Sequence, residues 1–147
     1  MIDWKILNYL NKQKYKSILL IVKNIQEVEK FIKNTSITVI EEKNLIEYLP
    51  KKPYYIIATW DSLSKGTALT IYSYLAKMNY SLRDDGIIYI RVLKNKAHIE
   101  EDFNDFCWNS ERIKSIGKAK SLKVLGKEEN IKIKNKSYIR FKYIPAV

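Results

Sequence analysis

Four short and mostly apolar stretches divide the chain. They are residues 18–22, 37–40, 54–59 and 87–93. The first of them is an unbroken apolar run, which is typical of a strand that is buried on both faces of a parallel sheet. The pattern therefore predicts four central and mostly parallel strands.

Segments with helical periodicity lie around and between these strands. They are residues 4–12, 25–34, 67–80 and 99–116. Asn24 stands three residues before Glu27, a spacing typical of a helix N-cap, and Gly117 is expected to end the last helix. The expected buried stripe of the third helix is Leu69, Tyr72, Leu75 and Ala76. Strand, helix and strand in succession predict a right-handed βαβ unit.

The remaining segments read as turns and as antiparallel strands. Residues 45–49 are expected to form a helical turn or a short strand, and residues 83–86 to form a turn. Residues 122–144 alternate apolar with basic positions, which is typical of antiparallel strands, with turns expected at 126–130 and 135–137. The fold class is therefore α/β, an open and mostly parallel sheet flanked by helices, with a C-terminal antiparallel β-hairpin. The length of 147 residues fits a single domain spanning the whole chain.

Charge is the most unusual property of the composition. The formal net charge is +11 at pH 7. Residues 112–142 hold eleven basic and two acidic residues, whereas residues 84–111 hold seven acidic and three basic residues. A field this asymmetric attracts polyanions, so nucleic acid or an acidic protein surface is the expected partner. The alternative is a solvated lysine-rich face that only aids solubility.

The scarcity of Cys and His limits the chemistry. Cys107 and His98 are the only residues of their types, so neither an intrachain disulfide nor the usual zinc ligand sets can form. No apolar stretch is long enough to span a bilayer, and the first residues lack the pattern of a signal peptide. These features predict a soluble, cytoplasmic protein that binds neither metal nor membrane.

Two segments carry a resemblance to a known family. Residues 82–90, with the sequence LRDDGIIYI, lead through a turn and a glycine into an apolar strand, and residues 54–62 form a strand and a polar loop. Together with the order of elements, they resemble the class I S-adenosylmethionine-dependent methyltransferases, whose fold is Rossmann-like. The resemblance implies S-adenosylmethionine as cofactor and Glu41 or Glu42 as the acid for its ribose hydroxyls. It also implies Asp61 as the catalytic residue.

Two departures from that family are equally informative. The cofactor is held where the backbone approaches it closely after the first strand, which requires glycine because a Cβ would occupy the ligand's space. Residues 21–27 contain no glycine, and the first glycine of the chain is Gly66. Residues 42–54 are too few for the two helices and one strand that the family inserts there, so one βα unit is missing. These departures predict a degenerate, shortened domain without a cofactor, or with S-adenosylmethionine if it is active.

Cations interleave with aromatic residues near the C-terminus. The candidate nucleic-acid-binding residues are Lys123, Lys132, Lys134, Lys136, Arg140 and Lys142. Alternation places several of them on one face of the sheet, where they would contact phosphates. Tyr138, Phe141 and Tyr143 would stack on bases if they are exposed, whereas buried aromatics would leave only backbone contacts and weak sequence specificity. Lysines that merely protect edge strands from aggregation are the alternative.

Three functions are consistent with these features. The first is a non-catalytic methyltransferase-like module that acts on nucleic acid, or within a nucleic-acid complex, through its basic C-terminal surface. The second is an active S-adenosylmethionine-dependent methyltransferase with an atypical cofactor loop, in which Asp61 orients the substrate. The third is a scaffold that docks an acidic protein, including the acidic segment of a second copy in a homodimer. Each candidate residue also has a purely structural interpretation. In that interpretation Asp61 caps the next helix or turn, and Glu41 and Glu42 are solvated loop residues.

Overall fold

In the computed structural model, the four apolar stretches form the parallel half of one sheet, as predicted. The structure describes residues 1–48, 53–94 and 106–146. The parallel strands are β1 (Ile18–Val22), β2 (Ile37–Glu41), β3 (Tyr54–Trp60) and β4 (Leu82–Leu93). Their spatial order is β2-β1-β3-β4, so the chain crosses over the sheet between successive strands and the three neighbouring pairs are parallel.

The C-terminal strands extend this sheet in antiparallel fashion, which confirms the predicted fold class. They are β5 (Leu122–Val124), β6 (Glu129–Ile133) and β7 (Lys136–Pro145). β7 pairs with β4 along one side, and β5 and β6 both pair with its other side. Lys134 and Asn135 connect β6 to β7 with positive φ angles of 45° and 63°, the two-residue turn that suits a twisted hairpin.

Helices cover both faces of the sheet. They are α1 (Trp4–Lys12), α2 (Ala68–Tyr80) and α3 (Ser110–Ala119). Buried residues of α1 pack with alternate side chains of β1 and β3 in one hydrophobic cluster. Buried residues of α2 and α3 pack with the opposite side chains of the same sheet in the other. Every residue of β1 is buried because both of its faces are covered.

The predicted helix over residues 25–34 is wrong. Two 3-10 turns, Ile25–Glu27 and Glu29–Phe31, take its place. Asn24 does cap the first turn, because its side chain accepts a hydrogen bond from the Gln26 N–H at 3.0 Å. Of the apolar residues in the segment only Val28 is fully buried, so the burial that normally stabilises an amphipathic helix is missing.

The predicted helix over residues 99–116 is also corrected. Residues 106–109 are not helical, and α3 begins after Asn109, whose side chain accepts a hydrogen bond from the Arg112 N–H at 2.9 Å. Residues 99–105 lie outside the described part of the chain. Gly117 does not end the helix, which continues to Ala119. A Cβ at Gly117 would lie 2.6 Å from the buried ring of Tyr143, so close packing explains this glycine.

Smaller differences concern the ends and faces of elements. β4 begins at Leu82, and residues 83–86, predicted as a turn, form an irregular stretch at which the pairing with β3 shifts register. The buried face of α2 is Ile71, Leu75 and Met78, whereas Leu69 is 74% exposed. A short 3-10 turn, Glu42–Asn44, follows β2. Within the described residues, β2 is the edge strand of the sheet, and no further strand pairs with its outer side. This agrees with the predicted loss of one βα unit.

Candidate functional site

The carboxyl ends of β1, β3 and β4 open into one cleft of about 360 Å³. Its walls come from the segments that follow β1 and β3, from the end of β4, and from the hairpin between β6 and β7. This is the edge at which open α/β sheets bind their ligands. Asp61, Lys134 and Lys136, three of the candidate residues, line it together.

Asp61 is held in place by positive charge. Its two carboxylate oxygens accept hydrogen bonds from Arg91 Nη2 at 3.0 and 2.9 Å, and Oδ2 lies 3.4 Å from the Met1 ammonium. The residue has a φ of 68°, a left-handed conformation that Asp tolerates better than most residues. Thr67, not Asp61, caps α2, because its hydroxyl accepts the Thr70 N–H at 3.2 Å. A catalytic role for Asp61 stays a prediction.

Beneath the cleft lies a buried charge network that the sequence analysis missed. The Arg91 side chain is only 1% exposed, donates to the Met1 carbonyl at 2.7 Å, and lies 3.8 Å from the Asp3 carboxylate. Arg140 donates to both Asp3 oxygens at 3.0 and 2.9 Å and to Glu129 at 3.0 Å. The network therefore ties the start of α1 to β4, β7 and β6.

Glu129 completes this network at its exposed end. Lys5 donates to both carboxylate oxygens of Glu129 at 2.9 Å. This hydrogen bond, more than the nearby Arg140 charge, holds the pKa of Glu129 below its usual value. The one sequence signal for the network is an arginine inside each of two apolar strands, Arg91 in β4 and Arg140 in β7.

Glu41, the predicted ribose-binding acid, is bound to the loop where a cofactor would approach. Its Oε2 atom accepts a hydrogen bond from the Ile25 N–H at 3.2 Å. Its Oε1 atom forms an ion pair with Lys43 at 3.4 Å. The acid at the end of β2 and a backbone donor after β1 therefore satisfy each other, so Glu41 is not simply a solvated loop residue.

Glu42 has different neighbours. Burial raises the pKa of its carboxyl, and the charge of Lys23 partly opposes that shift. Burial also raises the pKa of Tyr74 on α2, and the nearby charge of Glu42 raises it further. Glu41 and Glu42 thus have different partners, and a joint role in cofactor binding stays a prediction.

The six candidate nucleic-acid-binding residues divide between several places. Lys134 and Lys136 line the cleft. Lys136, Arg140 and Lys142 alternate along β7, and the pairing of Lys123 with Ile144 puts Lys123 on the same face. Lys132 pairs with Ser137 and therefore lies on the opposite face. Because Arg140 is engaged by two acids, the lysines carry the uncompensated charge.

The aromatic residues of β7 point into the protein. Tyr138, Phe141 and Tyr143 are 7%, 1% and 0% exposed. The guanidinium of Arg91 lies over the Tyr138 ring at 4.6 Å, and the Tyr143 hydroxyl donates to the Ile113 carbonyl at 2.5 Å. These three rings are thus not free to stack on bases, which leaves phosphate contact as the way this surface would bind nucleic acid.

Two other site types find no support in the described part of the chain. No group of three or more His, Cys, Asp and Glu residues is placed to hold a metal ion. No described helix combines the length and apolar character needed to cross a membrane. Cys107 is buried, as expected for a small hydrophobic residue.

Comparisons with known proteins identify the fold. No protein-family model and no curated protein matches the sequence. Among solved structures, the chain superposes on 1,6-didemethyltoxoflavin-N1-methyltransferase of Burkholderia thailandensis with a TM-score of 0.65 at 11% identity, covering 97% of this chain and 76% of that one. For magnesium protoporphyrin IX methyltransferase (ChlM) of Synechocystis PCC 6803 the TM-score is 0.67 at 6% identity, with 97% and 80% covered. For the glycopeptide N-methyltransferase MtfA it is 0.64 at 6% identity, with 94% and 87% covered. The chain therefore has the Rossmann-like fold of the class I methyltransferases.

Proposed function

We propose that this protein is a non-catalytic, methyltransferase-like module that binds nucleic acid through its basic C-terminal surface. The observation that carries the first part is the hydrogen bond between Glu41 and the Ile25 N–H. The observation that carries the second part is the set of exposed lysines on and around the C-terminal strands.

The residues after β1 and β2 do not fit S-adenosylmethionine. Lys23, Asn24 and Ile25 all carry a Cβ where the cofactor needs close approach to the main chain, and Asn24 and Glu41 already bind the loop's amides. The 3-10 turns after β1 also replace the long helix whose N-terminus would face a ligand.

The charge of the cleft supports the same conclusion. Four lysines line it, two from the segments after β1 and β3 and two from the β6–β7 hairpin. S-adenosylmethionine carries a sulfonium cation, and like charges repel in a partly enclosed site. A polyanion would instead be attracted to this edge of the sheet.

Nucleic acid is the polyanion that the lysine-rich surface fits best. Its backbone repeats one charge per phosphate, so separate lysines on β5, β6 and β7 can each meet a phosphate. Since the aromatic rings of β7 are buried, binding should depend strongly on salt and weakly on sequence.

Fluorescence anisotropy with labelled single-stranded and duplex oligonucleotides tests this proposal. Replacing Lys132, Lys134 and Lys136 together by Glu should abolish binding. The matched control replaces three exposed lysines with the same change in net charge. They are Lys12, Lys14 and Lys33. An equal loss of binding in both triple variants would mean that overall charge, and not this surface, determines binding. Unchanged binding by the variant at Lys132, Lys134 and Lys136 would reject the assigned surface.

An active methyltransferase is the second candidate. Two observations favour it. Two of the similar methyltransferases were solved with S-adenosylhomocysteine (SAH) bound, and Asp61 of this chain lies in the cleft. In that case Asp61→Ala should reduce turnover far more than stability. The third candidate, docking of an acidic protein, is supported by the same lysines, and absence of nucleic-acid binding would favour it.

A further inference from the structure

The cleft at the carboxyl edge of the sheet combines positive charge from two separate parts of the chain. Lys23 follows β1 and Lys65 follows β3, whereas Lys134 and Lys136 flank the β6–β7 turn. All four are exposed. Lys23 and Lys65 lie outside the basic C-terminal segment, so sequence analysis gave no reason to group them with it.

These lysines are not neutralised by the acids that share the cleft. Asp61 is engaged by Arg91 and by the Met1 ammonium, which leaves Glu27 as the other acid of the lining. Within the described residues, none of the four lysines has a carboxylate within ion-pair distance, although the charge of Lys23 acts on Glu42 outside the cleft. Four like charges around one cleft repel each other, and a bound anion would remove that repulsion.

The chemistry of the lining identifies the type of anion. Lysine binds phosphate as a point charge, and several lysines around one cleft suit a ligand with several phosphates. The aromatic residues in the lining, Trp60 and Tyr138, are only 4% and 7% exposed, so recognition must come from charge. A volume of about 360 Å³ is in the range of sites that hold small ligands, and it is too small for a duplex.

We propose that this cleft binds consecutive phosphate groups, with Lys23 and Lys65 on one side and Lys134 and Lys136 on the other. The phosphates belong either to a single nucleic-acid strand or to a free polyphosphate such as that of a nucleoside triphosphate. The strand case rests on the proposed function, whereas the free polyphosphate case does not.

The test uses Lys23 and Lys65, because they belong to the cleft alone. The variant Lys23→Gln with Lys65→Gln is compared with Lys14→Gln and Lys33→Gln, an exposed pair that precedes β1 and β2 and so lies at the opposite edge of the sheet. The probes are a labelled single-stranded oligonucleotide, followed by anisotropy, and inorganic tripolyphosphate, followed by calorimetry.

We expect the cleft variant to weaken binding of at least one probe by about tenfold or more, and the control pair to leave it unchanged. For the oligonucleotide, loss of two phosphate contacts should reduce the slope of log K against log salt by about 1.4. Tripolyphosphate binding that requires Lys23 and Lys65, without strand binding, would support the cleft and reject the proposed function. Strand binding that ignores Lys23 and Lys65, together with no cleft-dependent tripolyphosphate binding, would reject the cleft and leave the proposed function standing. Absence of binding by both probes would overturn both.

Discussion

Asp3 connects the buried Arg91 to the partly buried Arg140, and replacing it by Asn tests how strongly that network stabilises the fold. The side chain is inaccessible to solvent and accepts hydrogen bonds from Arg140 at 3.0 and 2.9 Å. It also accepts the Ile6 N–H at 3.1 Å, which caps α1. Because Asn is as good an N-cap as Asp, Asp3→Asn removes the charge while keeping the cap.

The expected loss follows from the partners that remain. Removing one member of a buried ion pair destabilises a protein by about 3–5 kcal/mol, since the other charge stays buried without compensation. Here Arg140 keeps Glu129 and Arg91 keeps Asp61, which places the loss at the low end, about 3 kcal/mol. Asp3→Ala should lose about 1 kcal/mol more, because it also removes the cap.

Urea unfolding at pH 7, followed by tryptophan fluorescence, measures both losses. The control is Asp85→Asn, which breaks an exposed pair with Arg83 at 3.0 Å and should change the free energy of unfolding by less than about 1 kcal/mol. If Asp3→Asn is no more destabilising than Asp85→Asn, the network contributes nothing beyond a surface ion pair and the reasoning fails.

Three further variants test other parts of the structure. Gly117→Ala gains about 1 kcal/mol of helix propensity but places a Cβ 2.6 Å from the Tyr143 ring, so urea unfolding should show a net loss of about 1–2 kcal/mol in the free energy of unfolding. As the control, Ser115→Ala at an exposed position of the same helix should be neutral or slightly stabilising. Thr67→Ala should destabilise by about 1 kcal/mol through loss of the α2 cap, and Thr67→Ser should not. Glu42→Gln should raise the free energy of unfolding at pH 7, because the raised pKa of Glu42 means that its charged form is disfavoured in the fold. That gain should vanish below the ordinary pKa of 4.5, where the carboxyl is protonated in both states, and a gain that is independent of pH would contradict the assignment.

The sequence predicted the sheet well because strand burial leaves a direct trace. An unbroken run such as Ile18–Val22 has few alternatives to a strand covered on both faces, and the alternation through β6 and β7 fixes an antiparallel pairing. The helix over residues 25–34 failed because apolar spacing shows which residues could share a face, not whether anything covers that face. Only Val28 is fully buried there, whereas Ile25, Phe31 and Ile32 are partly buried.

The candidate site was predicted in position but not in its contacts. Asp61 was placed at the carboxyl edge of the sheet from its position after β3, and the structure brings it into the cleft. Its partner Arg91 lies 30 residues after it in the chain, and Asp3 lies 58 residues before it. No local sequence pattern therefore reveals that these residues pair. The hydrogen bond between Glu41 and the Ile25 N–H could not be predicted for the same reason, although the sequence analysis had singled out both Glu41 and the segment 21–27 that contains Ile25.

Calorimetric titration of the whole chain with S-adenosylmethionine tests whether the position after β1 is closed to this cofactor. We expect no binding heat, because the Ile25 N–H after β1 already donates to Glu41 and four lysines line the cleft. Saturable binding with a micromolar Kd would contradict this expectation and would establish the chain as a cofactor-binding methyltransferase-like protein.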